Sequence, residues 1–207
     1  MTDYITVLEN ATAEYTEKRS RFIAYVYHCE TEAQATEIIS QQKSRFWDAK
    51  HNVYAYVLKD GTSRFSDDGE PHGTAGKPIL DIITGSGITD ILIVVTRYFG
   101  GVLLGTGGLV RAYSAAARDA LNQSQKVKMC MGAVYGVRCD YADHSKLLSV
   151  IENCNGTVND THFTDCVEVL FSLKTEDVKK FEDTLCESFS SRLTANFVEE
   201  SVFSEKM

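Results

Sequence analysis

The sequence has little of what marks exported, membrane-spanning or metal-bound chains. Its longest strongly apolar run, Ile91 to Val95, falls far short of the about 20 residues a bilayer-spanning helix needs. Met1 to Asn10 carries no basic segment followed by an apolar one, so no secretory signal is expected. There are six cysteines, Cys29, Cys130, Cys139, Cys154, Cys166 and Cys186, yet none forms a C-x-x-C pair and no histidine stands at zinc-finger spacing from them. Reduced, partly buried thiols in a cytoplasmic protein are the expectation. There is no internal repeat and no low-complexity segment. Proline is scarce, and Pro71 and Pro78 both fall in the stretch from Ser66 to Tyr113.

That stretch also holds ten of the 14 glycines. Glycine serves where backbone takes positive φ or approaches another group closely, at a cost in conformational entropy. Such a concentration marks backbone shaped for a purpose.

With 207 residues, 43% hydrophobic and 24% charged, the chain suits one large or two small globular domains. The net charge of −8 argues against indiscriminate nucleic-acid binding over the whole surface. The charge is uneven: residues 131–207 carry 14 Asp/Glu against 7 Lys/Arg, and residues 1–130 carry 15 against 14. The N-terminal part can therefore present a basic patch.

Periodicity predicts a weak strand or arm at residues 4–8, a strand at Phe22–Tyr27, and a helix from a Thr31/Gln34 capping box through Ala35, Ile38, Ile39, Gln42 and Phe46. A second strand is expected at His51–Leu58, then a turn at Asp60-Gly61. Pro78–Thr84 reads as a short helix or a strand, with Gly85-Ser86-Gly87 as a turn. Ile91–Thr96 reads as a strand buried on both faces. Leu109–Ser124 reads as a helix with a small-residue face of Leu109, Ala112, Ala116 and Ala120, to which Tyr113 is a candidate addition. Composition changes around Lys126 to Met131, giving domains 1–128 and 129–207. The second reads strand, helix, strand, strand, helix, strand, with strands at Ala133–Cys139, Thr157–Phe163, Val167–Leu173 and Thr194–Phe203, a helix stop at Gly156 and a helix cap at Thr175. That is the ferredoxin-like βαββαβ plan of an α+β fold.

Gly105-Thr106-Gly107-Gly108 lies just before the expected helix at Leu109. Free N–H groups at a helix N-terminus favour an anion, and Arg97 and Arg111 lie close in sequence, so phosphate is the natural ligand. Gly100 to Gly105 has P-loop spacing, but Thr106 stands where that motif has lysine; Val110 stands where a dinucleotide fingerprint has its third glycine. Tight turns and helix–sheet packing explain the same glycines equally well.

Asp67, Asp68, Glu70 and His72 crowd one loop. Such a set can hold a hard cation or do acid–base work, although neither an EF-hand nor H-E-x-x-H is present. The plainer reading has the carboxylates bonding backbone N–H groups or pairing with Arg97 and Arg111. Lys18, Arg19 and Arg21 precede one strand and Lys50 and His51 another; with Phe22, Tyr25 and Tyr54 they suit nucleic-acid contact or simply a solvated strand end. Tyr98 and Phe99 suit stacking on a base or burial in a core.

Ser66-Asp67-Asp68-Gly69-Glu70-Pro71-His72-Gly73-Thr74-Ala75-Gly76-Lys77-Pro78 and Val94 to Tyr113, with its Thr96-Arg97-Tyr98-Phe99-Gly100-Gly101 and Gly105-Thr106-Gly107-Gly108-Leu109-Val110-Arg111 segments, resemble the motifs of the IMPACT family in its bacterial YigZ type. Weaker matches are Lys18-Arg19-Ser20-Arg21-Phe22 and His51 with Ala55-Tyr56. The resemblance implies a first domain similar to the second domain of a small-subunit ribosomal protein and a second similar to the last domain of elongation factor G. Eukaryotic members are linked to translation control through a protein partner, and they carry an extra domain that this chain lacks. The family supplies no proven catalytic residues.

The expectation is thus a cytoplasmic, translation-associated regulatory or binding protein, with no membrane partner and no cofactor. It would contact RNA or the ribosome through Arg97, Arg111, Lys18, Arg19, Arg21 and the Gly105–Gly108 amides. The alternative is an enzyme acting on a phosphorylated small molecule, with Asp68 and Glu70 placing a metal or water. A protein-interaction domain is the third reading.

Overall fold

In strand Ser20–His28, Phe22, Ala24 and Val26 are buried while Arg21, Ile23 and Tyr25 between them are more open, so the strand has one core face. The computed structural model, which describes residues 3–206, shows how that face is used. The chain divides into two units with bodies Tyr4–Lys128 and Met129–Glu205.

The first unit contains β1 (Tyr4–Val7), β2 (Ala11–Glu17), β3 (Ser20–His28), α1 (Glu32–Arg45), β4 (His51–Val57), β5 (Ser63–Ser66), α2 (Gly76–Ser86), β6 (Ile91–Tyr98) and α3 (Gly105–Gln123). Its sheet has the order β2-β3-β6-β4-β5 with antiparallel neighbours throughout. One face packs Phe22, Val53, Ile93 and Val95 against Ile79 and Ile83 of α2 and Leu109, Ala112 and Ala116 of α3. On the other face Ala35 of α1 packs with Tyr56, Leu92 and Val94.

β7 (Lys126–Cys139) begins in the first unit and runs on into the second, which adds α4 (His144–Asn153), β8 (Thr157–Phe163), β9 (Val167–Lys174), α5 (Thr175–Phe189) and β10 (Ala195–Lys206). The strands lie in the order β10-β7-β9-β8. Leu147 and Ile151 of α4 and Phe181, Leu185 and Phe189 of α5 bury against Val137, Val169, Phe171 and Leu173. The fold is mixed α and β in two units, and the second follows the strand-helix-strand-strand-helix-strand order. No helix among the described residues is long and apolar enough to cross a membrane. No disulfide links any of the six cysteines among the described residues, and Cys29, Cys130, Cys139 and Cys154 are buried.

Several elements depart from expectation. β2 and β5 were not foreseen, since alanines and short length hide their alternation. Of the two readings left open for Pro78–Thr84, the helix is the one observed: Pro78 sits in its first turn, where a missing N–H is no loss. Gly85 and Ser86 complete α2, and only Gly87 turns the chain, with φ 69°. α3 starts at Gly105 rather than Leu109: the chain enters it through Gly105 at φ +70°, which a side-chain-bearing residue takes only at a cost. Thr175 does not cap α5; Lys174 holds that position, and the Thr175 hydroxyl donates to the Met131 carbonyl at 3.0 Å. Thr31 does cap α1, its Oγ1 accepting the Gln34 N–H at 3.2 Å, while Gln34 Oε1 reaches back to the Glu30 N–H at 2.9 Å.

Candidate functional site

Antiparallel register sets three residues in a row across the first sheet. Phe22 of β3 and His51 of β4 both pair with Arg97 of β6, on the face that meets α2 and α3. The alternation Ile91, Ile93, Val95, Arg97 therefore carries a cation to the end of an apolar face, where it is 5% exposed. A buried charge needs a partner. Glu70, from the loop between β5 and α2, supplies it: Arg97 Nη1 donates to Glu70 Oε1 at 2.5 Å. Tyr113 of α3 donates to the same oxygen at 2.8 Å, and His51 Nε2 stands 3.7 Å from it. The guanidinium carbon lies 5.4 Å from the Phe22 ring centre and 5.6 Å from that of Phe99. Burial first, and then the charge on Glu70, push the Tyr113 hydroxyl far above its ordinary range, so it remains a donor.

The acidic loop is held by its own carboxylates. Asp67 accepts the N–H groups of Gly73 at 2.8 Å, Ala75 at 3.2 Å and Gly76 at 2.8 Å, and so caps α2, whose own N-cap residue Ala75 offers no side-chain acceptor. Asp68 accepts the Asn52 N–H at 2.7 Å and Lys43 Nζ at 2.6 Å. Its carbonyl accepts His51 Nδ1–H at 2.7 Å, and because a carbonyl only accepts, the His51 proton sits on Nδ1 and Nε2 faces Glu70. His72 is open to solvent, with Nδ1 3.6 Å from Asp67 Oδ2. Among the described residues no three His, Cys, Asp or Glu side chains converge as a metal site would.

The second glycine loop docks on the β2–β3 turn. Gly100 donates to Ser20 Oγ at 3.1 Å, and a Cβ at Gly100 would lie 2.1 Å from the Arg19 carbonyl carbon, so only glycine fits. The turn itself puts Lys18 at φ 46° and Arg19 at φ 68°, both left-handed. Two-residue hairpin turns of that kind favour Asn and Gly; here two cations hold the strained positions. α3 then begins with no side-chain cap at Leu104 and no acidic residue in its first turn. Its leading N–H groups and dipole are thus available to an anion.

Two hollows flank that first turn. One, of about 420 Å³, has His51, Glu70 and Arg97 at its floor, Phe99, Leu103 and Leu109 on its wall, and Lys50, Gly105 and Thr106 at its rim. The other, of about 370 Å³, is bounded by Tyr15, Glu17, Lys18, Gly108 and Arg111. The structure groups Arg97 with Glu70 and His51, and Arg111 with Lys18; it does not bring the two arginines together. Gly107 is exposed on the same first turn. Arg21 points away from Arg97 by strand alternation and is engaged by Glu14, Nε to Oε1 at 2.8 Å and Nη2 to Oε2 at 2.9 Å. His51 and Lys50, expected only as a basic strand edge, line this cleft, and Tyr113, expected as an addition to the Leu109–Ala112–Ala116 face, reaches Glu70 from that face.

The Impact N-terminal domain matches residues 18–121, which contain every residue of the first cleft, and a domain of unknown function, DUF1949, matches residues 137–192. The IMPACT family member YvyE of Bacillus subtilis (strain 168) is 33% identical over 186 residues, covering 89% of this chain and 86% of its own. The IMPACT family member YigZ of Escherichia coli (strain K12) is 34% identical over 187 residues, covering 88% and 92%. A crystal structure described as that of a hypothetical protein matches with a TM-score of 0.63 at 31% identity, over 96% of this chain and 98% of its own. By sequence, this chain belongs to the IMPACT family.

Proposed function

We propose that the chain is a cytoplasmic, translation-associated regulatory protein that binds the phosphates of RNA, including those of the ribosome, through the face around the N-terminus of α3. The observation that carries this reading is an uncapped helix start flanked by cations: Lys18 and Arg111 on one side, Lys50 on the other, with no carboxylate in the first turn. Arg19 at the turn tip widens the patch. Arg97 acts from beneath as the partner of Glu70 rather than as a phosphate clamp. The resemblance to the IMPACT family supports translation as the setting, with one unit like the second domain of a small-subunit ribosomal protein and the other like the last domain of elongation factor G. A protein partner in translation control is compatible with the same face.

A second reading is an enzyme acting on a phosphorylated small molecule. One observation favours it: the cleft beside α3 has buried Glu70 and an oriented His51 at its floor.

Gradient sedimentation of cell extract at low and high salt distinguishes them, comparing wild type with Lys18→Ala/Arg111→Ala. RNA binding requires co-migration with ribosomal particles at low salt, release by salt, and loss in the folded variant. Absence from the particles at every salt concentration overturns the reading and leaves the enzyme.

A further inference from the structure

We infer that the cleft beside the N-terminus of α3 holds one unpaired nucleotide, its phosphate at the helix start and its base between the apolar wall and the Glu70–Arg97 floor. This rests on the phosphate reading above and adds a base to it.

The phosphate end alone would be weak ground, but the floor adds an independent feature. Arg97 Nη1, Tyr113 and His51 all approach Glu70 Oε1, and among the described residues no hydrogen bond reaches Oε2. The Glu70 side chain is 4% exposed and lines the cleft. Arg97 Nε is buried with no partner. The floor therefore keeps one acceptor without a protein partner, Glu70 Oε2, and one buried donor without one, Arg97 Nε, and a buried donor is rarely left so. Every nucleobase edge offers a donor beside an acceptor.

The wall supplies the other half. Phe99 is 47% exposed and Leu103 84% exposed, an unusual display for apolar side chains on a Gly-rich loop. A flat ring would cover them, and base–aromatic stacking is sequence-tolerant. At about 420 Å³ the cleft falls within the roughly 300–1,000 Å³ of small-ligand sites. Lys50, Gly105 and Thr106 at its rim stand where the phosphate would lie. An anionic end, a planar apolar body and a polar edge together describe a nucleoside monophosphate, free or as one residue of a single strand.

The test is calorimetric titration of the full chain with inorganic phosphate, ribose 5-phosphate, the four nucleoside 5′-monophosphates and short single-stranded oligonucleotides. The expected result is that at least one nucleotide binds about tenfold or more tighter than ribose 5-phosphate. Phe99→Ala should erase that advantage while leaving ribose 5-phosphate binding unchanged. Leu103→Ala, at a side chain too exposed to matter for folding, should reduce it in the same direction. Oligonucleotides binding far better than the monomer assign the site to a strand; equal binding assigns it to a free nucleotide. If phosphate and ribose 5-phosphate bind as tightly as every nucleotide, the base inference is overturned and the phosphate reading stands. If none of these ligands binds, both fall.

Discussion

Glu70 and Arg97, 27 residues apart, form an ion pair with both side chains buried at the end of an apolar sheet face. The pair joins the acidic loop to the central strand, and Tyr113 ties it to α3. Burying two charges gains little net stability, but removing one strands the other in a poorly solvated place. Glu70→Ala or Arg97→Ala should therefore cost about 3–5 kcal/mol in urea unfolding. The double replacement Glu70→Leu/Arg97→Met should cost less than either single change. Additive losses would show that the two charges do not depend on each other.

The pair also shows how far the sequence can be read. Because both faces of the run Ile91 to Val95 are apolar, the sequence puts Arg97 in line with Ile91, Ile93 and Val95 but leaves open which layer of helices meets Arg97. Its partner is not visible, because Asp67, Asp68 and Glu70 are chemically alike in sequence. Only the folded loop separates them: Asp67 turns to the α2 amides, Asp68 to β4, and Glu70 to Arg97. The glycine loops stood out by composition, but the reason for Gly100 lies in Arg19, 81 positions earlier, and such long-range packing leaves no local mark. β2 was hidden because Ala11 and Ala13 on its core face give little hydrophobic contrast.

Tyr113 makes alkaline behaviour a test of the same cluster. Its pKa is raised by burial and then by Glu70, and that of Tyr56 is pushed up to about 12 by burial and then by its bond to Glu32. An unfolded tyrosine ionises near about pH 10. The stabilising contribution is thus complete below that pH and is lost as pH rises above it, because the unfolded chain releases protons the fold retains. Phenolate absorbance should show Tyr113 ionising only on unfolding. Tyr113→Phe should leave the folded titration curve unchanged and make alkaline unfolding shallower by about one proton. A phenolate lost from the folded curve of Tyr113→Phe would contradict the buried bond.

Gly100 and Gly107 should answer alanine in opposite ways. At Gly100 the new methyl would meet Arg19 backbone at 2.1 Å, and backbone cannot swing aside as a side chain can. Overpacking of that kind should cost about 3 kcal/mol. Nothing lies within 4 Å of a Cβ at Gly107, which is helical with ordinary φ, so Gly107→Ala should gain about 0.5–1 kcal/mol. Thermal melts of the two variants side by side check the contrast, and equal loss at both positions would mean that the loop does not dock on the β2–β3 turn.

Lys18 and Arg19 pose the sharpest choice between stability and use. Left-handed φ at two successive side-chain-bearing residues costs about 1–2 kcal/mol each, and Asn-Gly fits the same turn without that strain. Were the turn only a connection, cations there would be a poor choice. Lys18→Asn/Arg19→Gly should therefore raise the unfolding free energy by about 1–2 kcal/mol. The same change removes two charges beside the α3 start. RNA affinity at low salt should fall, and the slope of log K against log salt should become shallower by about one to two. Fluorescence anisotropy on a labelled single strand, read across a salt series, measures both. A more stable variant with undiminished RNA binding would remove the turn from the phosphate-binding face. A less stable one would mean that the lysine and arginine side chains support the turn through contacts that outweigh its backbone strain.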